Sequence, residues 1–504
     1  LYIKYYFKKM LKKNNFNHVI LSCKNHRELD KKTIKKFIPG YKLMENAGSV
    51  VFKIIKDKFN KKKKIKILCG SGNNGGDGYV VARLLNDNGY FNVEVYSLIK
   101  KNDIKGDARA AFKKFKGKLN TFSNIKINEN DLIIDAIFGS GLKRKISGKL
   151  KNIIEKINKK KPYCISIDIP SGINGDTGEI HGAAIKSKDT ITFTKKKPGH
   201  LLSDGKEYSG NVIVEDIGIN LNKLSFKPNI FENHPDNWKN KIPWPNNKSH
   251  KYTRGYTLII CGEKITGASR LAARATARIG CGLICLGVPE ESYNIYSTEN
   301  PIALVKIINN VEDLKKILQD KRINTVLIGP GLGINKNKFN LILSLVKEKK
   351  RRIVLDADAL KNNFKNIILN NKSMIVATPH KGEFLHILKS LKIKRKENLF
   401  SAIELVKKAK INLVLKGSAT LILSEDGRIA INNNTSPFLA TGGSGDVLAG
   451  MITGLISQKM DIFEASCAAV WIHGEIAKKK GPGLISEDLP EIIPNILKKL
   501  KKLK

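Results

Sequence analysis

The chain has 504 residues, with 91 Lys and Arg against 45 Asp and Glu, a formal charge of +46. At roughly 150 residues per domain this length allows about three domains or two larger ones, and 41% hydrophobic residues supply each with a core, which excludes a wholly disordered chain. No apolar run approaches the ~18 residues of a membrane span. The opening LYIKYYFKKMLKKNN lacks the small-residue cleavage site of a signal peptide. Its first residue, Leu1, points to an alternative start codon or a start at Met10.

A charge of this size is the footprint expected of nucleic-acid binding. The composition favours a plainer origin. There are 13 Arg against 78 Lys, and the chain is rich in Asn and Ile, the residues of A/T-rich codons. The basic residues are spread along the whole chain, at solvated helix positions such as KKNDIKGDARAAFKKFKGK, so they read as solvated faces. The seven Cys are odd in number and form no CxxC pair. Several lie in apolar strand-like runs, where Cys acts as a small buried hydrophobe, which points to a reduced, cytoplasmic chain without a zinc site or disulfide framework.

In chain order, KIKILCG, VEVYSL, DLIIDAIFG and YCISIDIP read as short apolar strands. The helical stretches YVVARLLNDNG, GDARAAFKKF and KLKNIIEKINKK lie between them. Continuous apolar strands alternating with helices predict a parallel sheet covered on both faces. A second series runs through GYTLIICG, GLICLGVP, NTVLIGPG, RIVLDADAL, SMIVATPH and NLVLKGSATLIL, and closes on the helices GSGDVLAGMITGLISQ and DIFEASCAAVWIHGEIAKKK. Residues 221–249 between the series hold Pro, Asn and Trp without a clear period. The expected organisation is therefore two α/β domains, 1–220 and 250–504, joined by a connecting segment at 221–249.

Three loops at predicted strand ends carry the chemistry of the first half. After KIKILCG come five glycines with Asn73, Asn74 and Asp77 among them, opening a helix. Glycine lets backbone approach a ligand closely, and the helix N-terminus is a seat for phosphate. A tight turn needs far fewer glycines. The second loop is Asp135–Leu142, DAIFGSGL, and the third begins DIPSGI at Asp168. Each carboxylate has the plain reading of a loop cap, but acidic loops on one rim of an open parallel sheet converge on one crevice.

LMENAG (43–48), GNNGGDG (72–78), DAIFGSG, DIPSGINGDTGE (168–179) and KPGH (197–200) together resemble the NAD(P)H-hydrate epimerase domain, over nearly the whole first half. That family interconverts the R and S epimers of hydrated nicotinamide cofactors at ring carbon 6. The resemblance implies a Rossmann-like fold and dinucleotide contacts at Asn73, Asn74, Gly75, Gly76 and Asp77. It extends these contacts to Gly139, Ser140, Gly141, Leu142, Lys143, Arg144 and Lys145. It further implies K+ at Asn74, Asp135 and Ser171, with Asp168 as the acid/base. Oxygen ligands of this kind suit a hard cation. Ser140 stands where Thr is commoner and keeps the hydroxyl.

The second half has its strongest signal at ATGGSGDVLAG (440–450), a Gly-rich turn opening a helix with Asp446 at its edge. This is an anion hole beside a carboxylate able to take a proton from an attacking hydroxyl. An N-cap role explains Asp446 but not the glycines, and no Lys-Ser/Thr pair follows as in a Walker A loop. Lys416, Gly417, Ser418, Ala419 and Thr420 join two apolar strands. GAS (267–269), GPGLG, DADAL, TPHKGE, KGSAT and GGSGD resemble the NAD(P)H-hydrate dehydratase domain of the ribokinase-like superfamily, from about residue 250 to the end.

That resemblance implies ADP-dependent dehydration of the S hydrate to NAD(P)H, releasing AMP and phosphate, with Mg2+ neutralising the nucleotide charge. It implies ADP contacts at Lys416–Thr420 and Gly445, and hydrate contacts at Ala268, Gly333, His380 and Asp446, with Asp446 as base. Cys261-Gly262-Glu263 stands where the family pattern has a Gly pair. The expected partners are the hydrates of NADH and NADPH, NADHX and NADPHX, together with ADP, with no nucleic acid or membrane, and the chain is expected to be a homo-oligomer. Two rivals are a ribokinase-like kinase of another small alcohol and an RNA-binding scaffold that reuses the epimerase fold. GNNGGDG and DIPSG in the same chain speak against the first, and the kinase-like half and the retained acidic loop residues against the second.

Overall fold

The computed structural model describes residues 18–503 apart from 143, 300, 350 and 362. The readings at Leu1, Met10 and Lys143 lie outside these residues. Among the described residues the chain divides into two compact units, up to Pro228 and from Asn229 onward.

The first unit is built on seven parallel strands: β1 (Ile65–Cys69), β2 (Val93–Ser97), β3 (Leu119–Thr121), β4 (Leu132–Ala136), β5 (Tyr163–Ile167), β6 (Asp189–Phe193) and β7 (Asn211–Glu215). They are ordered β3-β2-β1-β4-β5-β6-β7. β1 and β4 are wholly buried, as expected of central strands with helices on both faces. Lys66 in the middle of β1 stays buried because its ammonium pairs with the buried carboxylate of Asp131. Strand order reverses between β1 and β4, which opens the crevice where open α/β sheets bind ligands. A Cβ on Gly70, just after β1, would stand 1.8 Å from the Ile137 carbonyl oxygen, so only glycine lets the loops after β1 and β4 pass.

The second unit has a ten-stranded sheet, and the order reverses again, between β9 (Tyr256–Ile260) and β12 (Thr325–Ile328). β10 (Leu283–Val288) and β11 (Leu304–Ile307) lie on one side of β9, and β13 (Arg352–Leu355), β14 (Met374–Ala377) and β15 (Asn412–Leu415) continue beyond β12, all in parallel. The run NLVLKGSATLIL turns back on itself, so that β16 (Thr420–Leu423) is antiparallel to β15 and to β17 (Ile429–Asn432). Gly262 matches Gly70: a Cβ there would stand 1.7 Å from the Gly331 carbonyl oxygen.

The segment expected as a connector is divided between the units. Ile230–Glu232 forms β8, which pairs in parallel with β17. Trp238 is 1% exposed in the second core, its indole N–H donating to Asn233 Oδ1 at 3.0 Å. A Pro- and Asn-rich segment without period is thus held by one edge pairing and one aromatic anchor. All seven cysteines are free, and among the described residues no helix is long and apolar enough to cross a membrane.

Candidate active sites

The loops after β1, β4 and β5 meet over the first switch point and line a cavity of about 630 Å3. Of the residues expected there, Asn73, Asn74, Asp77, Gly139, Ser140, Gly141, Leu142, Arg144 and Asp168 line it. Gly75 and Gly76 lie behind it in the helix Asn73–Asp87, where added Cβ atoms would meet the Gly70 carbonyl oxygen and the Met44 side chain. Lys145 is exposed outside the lining.

Asp168 sits at the end of β5 with φ +70°, a strained value for a non-glycine residue and of the kind that collects at functional sites. Both carboxylate oxygens are engaged: Oδ1 accepts from Lys197 Nζ at 2.5 Å and Oδ2 from the Ser140 N–H at 2.9 Å. Burial works to raise this carboxyl, yet the Lys197 charge and hydrogen bond hold it well below the usual carboxylate range. His200 Nδ1 accepts from the Lys197 N–H at 2.9 Å, so its Nε2 carries the proton and donates to the Asp168 carbonyl, also at 2.9 Å. Burial and nearby Lys197 push the His200 ring down to about 3 and keep it neutral. Lys197 and His200 carry this machinery, and their signal in the sequence was KPGH.

Asp135 is fully buried and saturated, accepting from the Ser171 N–H and hydroxyl, the Ser166 hydroxyl and the Ile137 N–H. Ser171 Oγ also accepts from the Phe138 N–H at 2.8 Å. These bonds tie the second loop to the third. Asn74 differs, since both of its side-chain atoms are buried without a partner. A buried amide left unbonded is costly, and such groups mark ligand or ion sites. Of the three residues expected to hold K+, Asn74 therefore has a free ligand atom, its amide oxygen Oδ1.

In the second unit the helix Ser444–Ser457 starts from Gly443 at φ +86° without a side-chain cap, leaving the Gly445 and Asp446 N–H groups for a ligand. Lys416 brings two expected motifs together: a Cβ on Gly445 would lie 3.2 Å from its Nζ. The same ammonium donates to Asp356 Oδ1 at 2.8 Å, and the Thr378 hydroxyl donates to that oxygen at 2.7 Å. Burial alone would lower Lys416, but Asp356 reverses this and raises it, so the charge is kept. Burial, then repulsion from Asp356, pushes the Asp446 carboxyl up to about 7. Asp356 and Thr378 lay in quoted motifs but had no expected role.

His380 caps the helix Lys381–Ser390, its Nδ1 accepting from the N–H groups of Gly382 and Glu383. Its ring is otherwise mostly exposed. Gly333 is exposed, and its N–H donates to Asp358 Oδ2 at 3.0 Å. Ala268 is half-buried in the first turn of the helix Thr266–Arg278. Ser418 is exposed and its carbonyl accepts from the Thr435 hydroxyl, while Thr420 is buried at the start of β16. Gly417 and Ala419 complete that turn.

Residues 40–199 match the family model described as YjeF-related protein N-terminus, and residues 257–495 match that described as NAD(P)H-hydrate dehydratase. Over 488 residues the chain is 36% identical to the bifunctional NAD(P)H-hydrate repair enzyme of Dictyoglomus turgidum, covering 91% of this chain and 94% of that one. It is 33% identical over 487 residues to the enzyme of the same description from Coxiella burnetii, covering 94% and 98%. A crystal structure of ADP/ATP-dependent NAD(P)H-hydrate dehydratase from Bacillus subtilis, co-crystallized with ATP/Mg2+, is 27% identical with a TM-score of 0.46, covering 53% of this chain and 98% of that one. With both halves matched, and whole-length relatives above 30% identity, the chain belongs to the family of bifunctional NAD(P)H-hydrate repair enzymes.

Proposed function

We propose that the chain repairs hydrated NADH and NADPH in two steps, epimerising the ring hydrate in the first unit and dehydrating the S epimer at the expense of ADP in the second. The observation that carries this reading is the pairing of two switch-point sites in one chain. One is a dinucleotide-sized cavity around a Lys-locked aspartate. The other is a glycine-opened helix with a carboxyl poised near neutrality beside a half-buried ammonium.

In the first site Asp168, expected as the acid/base, has both oxygens engaged by Lys197 and the Ser140 N–H and stands instead as the fixed anion against the hydrated ring. The loops Asn73–Asp77 and Gly139–Lys145 hold the dinucleotide. The orphaned Asn74 amide fits K+, with Asp135 and Ser171 behind it. When bound, K+ supplies a fixed positive charge beside these carboxylates.

In the second site Asp446, its carboxyl pushed up to about 7 by burial and Asp356, takes the proton of the ring hydroxyl as that oxygen attacks the terminal phosphate of ADP. Lys416 and the free N–H groups of the helix Ser444–Ser457 receive the phosphates, and the loop Lys416–Thr420 and Gly445 hold the nucleotide. Ala268, Gly333 and His380 are read as the contacts to the hydrate. Mg2+ carried in with the nucleotide would neutralise its phosphate charge, while the nearby Asp356 carboxylate is held by Lys416 and Thr378. AMP leaves, and loss of phosphate from the ring restores the reduced cofactor.

The test is repair of chemically hydrated NADH by the purified chain with ADP, followed as return of the reduced-nicotinamide absorbance. Recovery of both epimers supports the reading. Recovery of neither, with ADP or ATP, refutes it.

A further inference from the structure

One wall of the first cavity comes from a helix that had no expected role. The helix Cys23–Lys36 precedes the matched residues 40–199, yet His26, Arg27, Asp30 and Ile34 line the cavity. It is anchored beside Lys197: Ile20 bridges to Lys196, the Leu21 N–H donates to the Lys196 carbonyl at 3.0 Å, and the Cys23 N–H donates to Asp176 Oδ1 at 2.8 Å.

We propose that Asp30 is the proton-exchanging catalytic residue of the epimerase site, with Asp168 serving beside it as the permanent anion. This rests on the proposed function and assigns its proton chemistry. Asp168 has both oxygens committed, to the Lys197 ammonium and the Ser140 N–H, so it is a poor proton acceptor. Asp30 is half-buried in the cavity wall and its carboxylate has no hydrogen-bond partner among the described residues.

The charged and titratable groups facing Asp30 are Asp168, Lys197 and Asp77, with Arg27, Asp107 and Arg144 also on the lining. His26, one turn before it, is neutral because burial lowers its ring well below the usual range. Burial, then the Asp168 charge, lifts Asp30 to about 6, with Lys197 pulling the other way. Asp77 is more deeply buried and is raised well above the ordinary carboxylate value by burial, then by Asp168 and Asp30. Two carboxyls driven apart in this way divide acid and electrostatic roles between them.

The step balances. Asp30 gives its proton to the hydroxyl on ring carbon 6, the C–O bond breaks, and water leaves as the ring-nitrogen lone pair forms a C=N bond. The cation lies against Asp168. Water then adds to the opposite face, and its proton returns to the Asp30 carboxylate through the released water.

The experiment uses the full chain and the separated R hydrate of NADH without ADP, so that chromatography of the epimer ratio reads epimerisation alone. Asp30→Asn is expected to slow interconversion by about 100-fold or more, the usual range for removing a general acid. KM should stay close to wild type. The wild-type rate should fall as pH rises through about 6, that dependence should vanish in Asp30→Asn, and Asp30→Glu should restore both rate and pH dependence. An Asp30→Asn chain that keeps the wild-type rate, or is slow with the wild-type pH profile, overturns the proposal alone. A wild-type chain that leaves the epimer ratio unchanged overturns the functional reading and the proposal together.

Discussion

Replacing Lys197 by Met tests the electrostatics of the first site, because it removes the charge and keeps most of the buried stem. The Lys197 side chain is 2% exposed and that of Asp168 is 18%. Breaking a buried ion pair from one side costs about 3–5 kcal/mol. Asp168 retains the Ser140 N–H and some solvent, which places the loss near the low end, about 3 kcal/mol at pH 7. In the native chain the Asp168 carboxyl is depressed, so its contribution is present above the unfolded value of about 3.9 and is lost as pH falls through the lower folded value. In Lys197→Met the burial that now opposes Lys197 acts alone and lifts the carboxyl above its unfolded value. The variant's deficit should therefore be largest at neutral pH and shrink as acid protonates Asp168. All three tryptophans, Trp238, Trp244 and Trp471, lie in the second unit. Urea unfolding followed by far-ultraviolet circular dichroism should show a weakened transition, while the tryptophan-fluorescence transition stays in place. A deficit equal at pH 7 and pH 4, or a shift in the tryptophan transition instead, would refute the reasoning.

Three further outcomes follow from the two sites. Asp446→Asn should lower ADP-driven dehydration by roughly 100- to 10,000-fold, and the wild-type rate should rise with pH through about 7 as the base ionises; dehydration within tenfold of wild type would exclude Asp446 as the base. Asn74→Ala removes an amide with no protein partner, so urea unfolding should change by no more than about 0.5 kcal/mol while any stimulation of epimerisation by K+ disappears. Persistence of that stimulation would place the ion elsewhere. Gly262→Ala puts a methyl 1.7 Å from the Gly331 carbonyl and should cost about 3 kcal/mol or more, read as an earlier tryptophan-fluorescence transition; an unshifted transition would mean the two loops part freely.

Much of the fold was legible because buried parallel strands are written as unbroken apolar runs. β9 and β12 carry such runs, β1 and β4 are broken only by the paired Lys66 and the saturated Asp135, and all four are buried along their whole length. The edge strands β3, β7 and β11 were not legible, being short or half-exposed, with little apolar surface to cover. β8 escaped notice because its three residues are ordered only by pairing with β17, nearly 200 positions away.

Among the functional residues, clustered glycines marked the ligand loops, since only close backbone approach explains so many of them. The glycines themselves divide between two tasks. Some line the cavity, while Gly75 and Gly76 bring the helix against its neighbours. At His380 the spacing marked the residue but not its cap: Nδ1 accepts from the first N–H groups of the helix that it opens, while the rest of the ring stays exposed.

The sequence by itself determined the two α/β halves, the loops that carry chemistry, and the plain origin of the +46 charge in dispersed lysines. Local patterns suffice there, because strand burial, helix starts and glycine turns are properties of neighbouring residues. Only the tertiary structure decided which carboxylate is locked, which is saturated and which is free. Asp168, Asp135 and Asp30 are the same chemical group, and each is set apart by partners that folding brings from elsewhere: Lys197 across 29 positions, Ser171 across 36 and the open wall of a cavity. The physical reason is that an acid's strength depends on desolvation and on nearby charge in space, neither of which can be read along the chain.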